Sequence, residues 1–108
     1  MTGRVSMRQG EIWWVEQPDR KRRPHLVLTR DAALPVLRGV LAAPLTRTVR
    51  GIPTEVAVGR GEQLGIDCAV SFDNMGVVDR AWFTTRIGIL GAHRWHEVCS
   101  AMRAAIDC

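Results

Sequence analysis

Short apolar runs alternate with polar turns over residues 10–90, and most of the runs are rich in β-branched or aromatic residues. That pattern is typical of β-strands bounded by turns. It predicts strands at residues 11–15, 25–29, 40–46, 54–58, 68–72, from 77–78 onward, and at 86–90. Pro44 falls inside the third run, so we expect an edge strand or a bulge there.

The hydrophobic period changes after residue 91. Apolar side chains then recur at spacings of three and four residues, which predicts one amphipathic helix from about Ala92 to Ile106, with Trp95 and Met102 in the core. At 12.0 kDa the chain is too small for a second domain, because neither half would have enough apolar surface to bury. The pattern therefore predicts one mainly β domain over residues 1–108, a curved sheet or small barrel with a C-terminal helix.

The positive charge is concentrated in the first half of the chain. The formal net charge is +4, but residues 1–50 hold ten basic and four acidic side chains, a net of +6. A basic half in a small domain favours a polyanionic partner, with nucleic acid first and an acidic protein second.

No segment has the composition of a membrane span or a secretory signal. The longest nearly uncharged apolar run, residues 39–45, is too short to cross a bilayer, and residues 1–9 lack an apolar stretch. Three cysteines without paired spacing favour free thiols, and His93 and His96 have no third ligand nearby. We therefore expect a soluble cytoplasmic protein without a metal or other cofactor.

Five short motifs resemble those of one protein family in order and spacing, from about Arg8 to Ala105. They read GEIWWV at 10–15, RPHLVLTRD at 23–31, APLT at 43–46, PTEV at 53–56 and IGIL at 87–90, before the predicted helix. The family is the MazF/PemK toxin endoribonucleases. The resemblance implies a small SH3-like barrel, a homodimer, and metal-independent cleavage of single-stranded RNA at preferred sequences. It also implies 2′,3′-cyclic phosphate and 5′-hydroxyl products, and an acidic antitoxin that occupies the RNA groove.

RNA cleavage by its own 2′-hydroxyl needs a fixed cation and a hydrogen-bond donor at the phosphate. Arg23 precedes Pro24, which favours extended backbone beneath its side chain. The resemblance assigns transition-state stabilisation to Arg23 and phosphate contact to the hydroxyl of Thr46. Some relatives carry an Arg-x-Asp acid–base pair where this chain has Ser71 and Asp73, so Asp73 is a third catalytic candidate, although Asp73-Asn74 also suits a tight turn.

The remaining RNA-binding candidates lie on two basic loops and their flanking strands. Loop cations would hold phosphates, and an outward-facing tryptophan would stack a base. Strand alternation allows only one of two adjacent tryptophans to face outward. The candidates are Trp13, Trp14, Arg20, Lys21, Arg22, His25, Arg47, Arg50 and Asn74, with His25 either a proton shuttle or an ordinary edge histidine.

Two other functions remain open at this point. A toxin of the same fold could bind a topoisomerase without catalysis, or the chain could be an RNA-binding module that has lost cleavage. The second alternative is favoured by Ser71, and by Gly76-Val77 where relatives often have Arg-Thr. The nuclease hypothesis requires Arg23 and Thr46 to meet in one groove.

Overall fold

A computed structural model describes residues 6–107 of the chain. Residues 1–5, part of the segment in which no secretory signal was expected, and the predicted thiol Cys108 lie outside this range. The strands are β1 (Glu11–Val15), β2 (Arg23–Val27), β3 (Gly39–Thr46), β4 (Glu55–Val58), β5 (Cys68–Ser71), β6 (Gly76–Asp79) and β7 (Phe83–Ile89), and the helix is α1 (Trp95–Ile106). Single 3₁₀ turns lie at Arg60–Glu62, Phe72–Asn74, Arg80–Trp82 and Ala92–Arg94.

The strands form one antiparallel sheet in the order β4-β5-β3-β2-β1-β7, with β6 pairing to β3. Every predicted strand is present. The largest differences in bounds are in β2, which covers Arg23–Val27 instead of 25–29, and in β7, which starts three residues early at Phe83. The first turn of the predicted helix is the 3₁₀ turn Ala92–Arg94.

Pro44 does not lie on an edge strand, and that part of the prediction was wrong. β3 pairs with β2 on one side, while its other side pairs with β6 through Ala42 and with β5 from Leu45 onward. The N–H of Leu28 donates to the carbonyl of Leu41, so alternation along the ladder turns the nitrogen of Pro44 away from β2. That nitrogen faces the gap between β6 and β5, where a missing N–H breaks no ladder bond.

Each face of the sheet is covered by its own hydrophobic core. Ile12 belongs to the core beneath α1, together with Val98 and Ala101 of that helix. Trp13, one residue along β1, points to the opposite core with Val27 and others. Trp95 and Met102 pack against the first core, as predicted.

Cys68 and Cys99 are free thiols, the first buried and the second exposed. Within the described residues, no helix is long and apolar enough to cross a membrane.

Candidate active site

A groove of about 750 Å³ lies beside the ends of β2 and β3. His25 of β2 is opposite Pro44 of β3, and continuing this antiparallel register by two residues places Arg23 opposite Thr46. Both side chains line the groove. Arg23 and Thr46 therefore meet in one groove, as the nuclease hypothesis requires.

The hydroxyl of Thr46 is positioned by the chain that follows it. The backbone N–H of Thr48 donates to Oγ1 of Thr46 at 3.1 Å. An accepting hydroxyl keeps its own hydrogen, so Thr46 can still donate to an anionic oxygen in the groove. Arg23 is exposed at the start of β2, and its guanidinium is free to reach the same oxygen.

His25 is half-buried, and Nδ1 of its ring lies 3.1 Å from the carbonyl oxygen of Arg23. Because a carbonyl can only accept, this contact requires the hydrogen on Nδ1. Burial lowers the pKa of His25, and the charge of Arg23 lowers it further, while the bond to the carbonyl acts in the opposite direction. His25 is therefore neutral at neutral pH, and its side chain is not among those that line the groove.

The two tryptophans occupy different environments. Trp13 is 6% exposed in the core, and its Nε1–H donates to Oε1 of Glu11 at 3.0 Å. Trp14 lines the groove, with the guanidinium carbon of Arg22 4.1 Å from its ring centroid, in a cation–π arrangement. Trp14 is therefore the one of the pair that can stack a base, and Trp13 is a core residue.

Four cations, Lys21, Arg22, Arg23 and Arg47, line the groove, and among residues 6–107 no carboxylate side chain does so. The surface of the groove is therefore suited to a polyanion. Arg20 and Arg50 lie outside the groove. The backbone N–H of Arg50 donates to Glu55 at 2.9 Å, which anchors the β3–β4 loop.

Asp73 and Asn74 are not brought into the groove. They form the end of the 3₁₀ turn Phe72–Asn74, where the carboxylate of Asp73 accepts a 2.7 Å hydrogen bond from the hydroxyl of Thr54. The amide of Asn74 donates to Oγ of Ser71 at 2.9 Å. The dipeptide therefore turns the chain, as its composition suggested, and it does not line the groove with Arg23 and Thr46.

One wall of the groove contains none of the site candidates from the sequence. That wall comes from the loop between β4 and β5, which supplies Gln63, Leu64, Gly65 and Ile66, and from Cys68 at the start of β5. None of these residues is among the site candidates from the sequence, and the glycine-rich composition of the loop was the available signal. Burial raises the pKa of the Cys68 thiol, which keeps it protonated at neutral pH.

Comparison with known proteins places this geometry in a family. The model described as "PemK-like, MazF-like toxin of type II toxin-antitoxin system" matches residues 8–106. The chain belongs to this family. The match confirms the predicted fold, the predicted toxin–antitoxin function and the endoribonuclease class, which the names of the relatives share.

Two curated MazF relatives cover nearly the whole chain. The "Probable endoribonuclease MazF5" of Mycobacterium tuberculosis (strain ATCC 25618 / H37Rv) is 41% identical over 101 residues, 93% of each protein. The "Probable endoribonuclease MazF2" of the same strain is 40% identical over 103 residues, 94% of this chain and 100% of the relative.

Solved MazF structures share the fold. "Mycobacterium tuberculosis toxin MazF-mt6" superposes with a TM-score of 0.84 at 35% identity, covering 90% of this chain and 96% of that one. A "MazE-MazF" structure from Deinococcus radiodurans has a TM-score of 0.79 at 25% identity, covering 95% and 98%.

Proposed function

We propose that the groove binds single-stranded RNA and that Arg23 and Thr46 act on the scissile phosphate. The proposal is supported by the location of the two side chains, because the register of β2 and β3 brings both to the same cationic groove. The 2′-oxygen attacks phosphorus, the bond to the 5′-oxygen breaks, the 2′-proton leaves, and the 5′-oxygen gains a proton. The products are a 2′,3′-cyclic phosphate and a 5′-hydroxyl end.

The two side chains have different parts in this step. Arg23 neutralises the charge that builds on the nonbridging oxygens, and its planar fork can hold two of them. Thr46 donates its hydroxyl hydrogen to the same phosphate and fixes its orientation. Of the four cations that line the groove, Arg23 is the one that the strand register brings opposite Thr46, so charge stabilisation is assigned to Arg23.

Binding is assigned to the other cations and to Trp14. Lys21, Arg22 and Arg47 would hold backbone phosphates irrespective of sequence. Trp14 would stack one unpaired base, with the guanidinium of Arg22 displaced from its ring or sandwiching the base.

We also infer an acidic antitoxin and a homodimer. Relatives have been solved as MazE–MazF complexes, and the groove here combines cations with apolar side chains such as Leu45 and Ile66, which suits an acidic segment with apolar anchors. Val36 and Val77 are 78% and 73% exposed, apolar surface that a second copy would cover. The protein would act in the cytoplasm, where its RNA substrate is found.

The test is cleavage of a mixed RNA pool in the presence of EDTA, with 5′-hydroxyl ends mapped by sequencing. Arg23→Met should lower kcat by about 10²-fold or more, the usual effect of removing a group that stabilises a developing oxyanion. Thr46→Val should lower it while Thr46→Ser restores most of the rate, because serine keeps the hydroxyl. Arg30→Met, an exposed arginine outside the groove, is the matched control.

Two results would contradict the proposal. One is wild-type cleavage that persists when the cut nucleotide is 2′-deoxy, and the other is an Arg23→Met protein that cleaves at the control rate. RNA binding without new 5′ ends would instead identify a module that has lost catalysis. Intact and unbound RNA would favour the topoisomerase inhibitor.

A further inference from the structure

The wall of the groove that the β4–β5 loop provides has features suited to recognition of a base. It comes from residues 59–66, which we call the wall loop, and its groove-lining residues are Gln63, Leu64, Gly65 and Ile66. Gln63 is exposed and is the one carboxamide among the side chains that line the groove within the described residues. Its chemistry therefore differs from that of the surrounding cations and apolar groups.

Gln63 is held in a backbone conformation that ordinarily favours glycine. Its φ is 69° and its ψ is 21°, in the left-handed region where a Cβ is unfavourable. The conformation is fixed because the N–H of Gln63 donates to Arg60 O at 3.0 Å and the N–H of Leu64 donates to Gly59 O at 3.1 Å. The side chain of Gln63 is therefore kept at a position where glycine would be unstrained, which motivates a role for the side chain itself.

The residue before Gln63 is locked to the rest of the domain. Glu62 is 7% exposed; its Oε1 accepts the N–H of Gly59 at 2.6 Å and its Oε2 accepts Nη1 of Arg94 at 2.9 Å. A Cβ at Gly88 of β7 would clash with the carbonyl oxygen of Glu62, so the loop rests directly on that strand. The wall loop is therefore seated on β7 and tied to Arg94, at the start of α1, through the residue that immediately precedes Gln63.

Cations and an amide recognise different parts of RNA. The cations of this groove are assigned to phosphates, whose contacts carry no sequence information, whereas the side-chain amide of Gln63 presents an NH2 donor group and a carbonyl acceptor that can pair with a base edge. We propose that Gln63 reads the edge of one unpaired base in the groove and that the Glu62–Arg94 pair is the positioning element for it. This proposal rests on the RNA-binding function proposed above, and it names the residue that sets the base preference at one position of the site.

The experiment compares base preferences at each position around the cut in a randomised RNA pool. Gln63→Gly removes the amide and relieves the left-handed strain, so the variant should fold at least as stably as the wild type. We expect discrimination to fall about tenfold at one position and to stay unchanged at the others, the usual contribution of one pair of hydrogen bonds to a base. Gln63→Glu, which can only accept, should shift that position toward bases that present an amino group.

The positioning role is tested with a matched pair of charge-removing variants. Glu62→Gln should weaken discrimination at the same position as Gln63→Gly, with kcat on the best sequence retained. Glu97→Gln alters the other partner of Arg94 without touching the wall loop, and should leave the base profile unchanged.

A binding selection with a 2′-O-methyl RNA pool separates this proposal from the nuclease function, because that pool cannot be cleaved by 2′-oxygen attack. If the wild type binds without cleaving, loss of one base preference in Gln63→Gly still supports the reading role. A Gln63→Gly profile identical to the wild type, in cleavage or in binding, overturns it. Failure of the wild type to bind RNA overturns both proposals.

Discussion

Arg94 links the wall loop to α1, and replacing it with methionine tests how much that link contributes to stability. Its Nε and Nη2 donate to the two carboxylate oxygens of Glu97 at 2.8 and 2.7 Å. Nη2 also donates to the carbonyl of Ala57 at 2.7 Å, and Nη1 to Glu62 at 2.9 Å. Methionine keeps most of the aliphatic packing and removes all four contacts.

The two carboxylates differ in how much water reaches them. The side chain of Glu62 is 9% exposed and that of Glu97 is 37% exposed, while that of Arg94 is 20% exposed. Losing the cation beside an almost buried carboxylate costs about 3–5 kcal/mol when the pair is fully buried, and partial exposure of Arg94 reduces this. The exposed pair with Glu97 contributes less than about 1 kcal/mol. We therefore expect Arg94→Met to lower the free energy of unfolding by about 2–4 kcal/mol.

Urea unfolding followed by tryptophan fluorescence measures this value, with Glu97→Gln as the control for the exposed pair. In Arg94→Met the urea midpoint should fall strongly at constant m. In Glu97→Gln it should fall only by an amount that corresponds to less than about 1 kcal/mol of unfolding free energy. Equal losses in the two variants would refute the reasoning, because the effect would then come from the start of the helix and not from the wall loop.

The pH dependence of stability is a second measurement on the ion pairs of Arg94. The hydrogen bond from Arg94 lowers the pKa of Glu97, so folding favours the ionised carboxylate. The stability that this provides is present above the ordinary glutamate pKa of about 4.3 and is lost as the pH falls through the lower folded-state value. Arg94→Met should lack this part of the acid dependence; a variant with unchanged acid dependence would contradict the assignment.

Three further predictions concern the groove and β2. Arg47→Met should reduce the slope of log affinity against log salt by about 0.7, the value for one phosphate contact on a single strand, and Arg30→Met should leave it unchanged. Trp14→Ala should weaken RNA binding by about 1–3 kcal/mol in a fluorescence anisotropy titration, and Trp14→Phe should retain most of the affinity. Because burial lowers the pKa of His25 in the folded state, stability should decline as the pH falls below about 6.5, and urea midpoints of His25→Phe should decline less over the same range. An equal decline in that variant would exclude His25 as the cause.

The strand pattern was predictable because it depends on local alternation. β1 was predicted with its observed bounds, because its sequence is a dense β-branched and aromatic run that follows a glycine. In the structure that glycine, Gly10, has a φ of 90°. The location of Arg23 and Thr46 in the same groove was predictable only through family resemblance, because register depends on the neighbouring strands.

The choice between Trp13 and Trp14 could not be made from alternation alone. Both faces of the sheet carry an apolar core, so neither face of β1 is marked as polar in the sequence. Trp14 reaches the groove because it lies opposite Pro24 on β2, next to the open end of the sheet. The position of Asp73 outside the groove was unpredictable for a related reason: a short polar pair after a strand has the same pattern whether it turns the chain or serves a site.

The proposed site has two separate structural supports, the central strands of the sheet and the wall loop. Arg23 and Thr46 lie just beyond the paired part of the β2–β3 ladder, and each is also held on its outer side, Arg23 by Val15 of β1 and Thr46 by Ala69 of β5. Gln63 is placed by a loop whose anchors, Glu62 and Arg94, make no part of that ladder. Because the two supports are separate, the proposed roles imply that substitutions in the wall loop alter which RNA sequence is cut while the phosphate is still held in the same geometry.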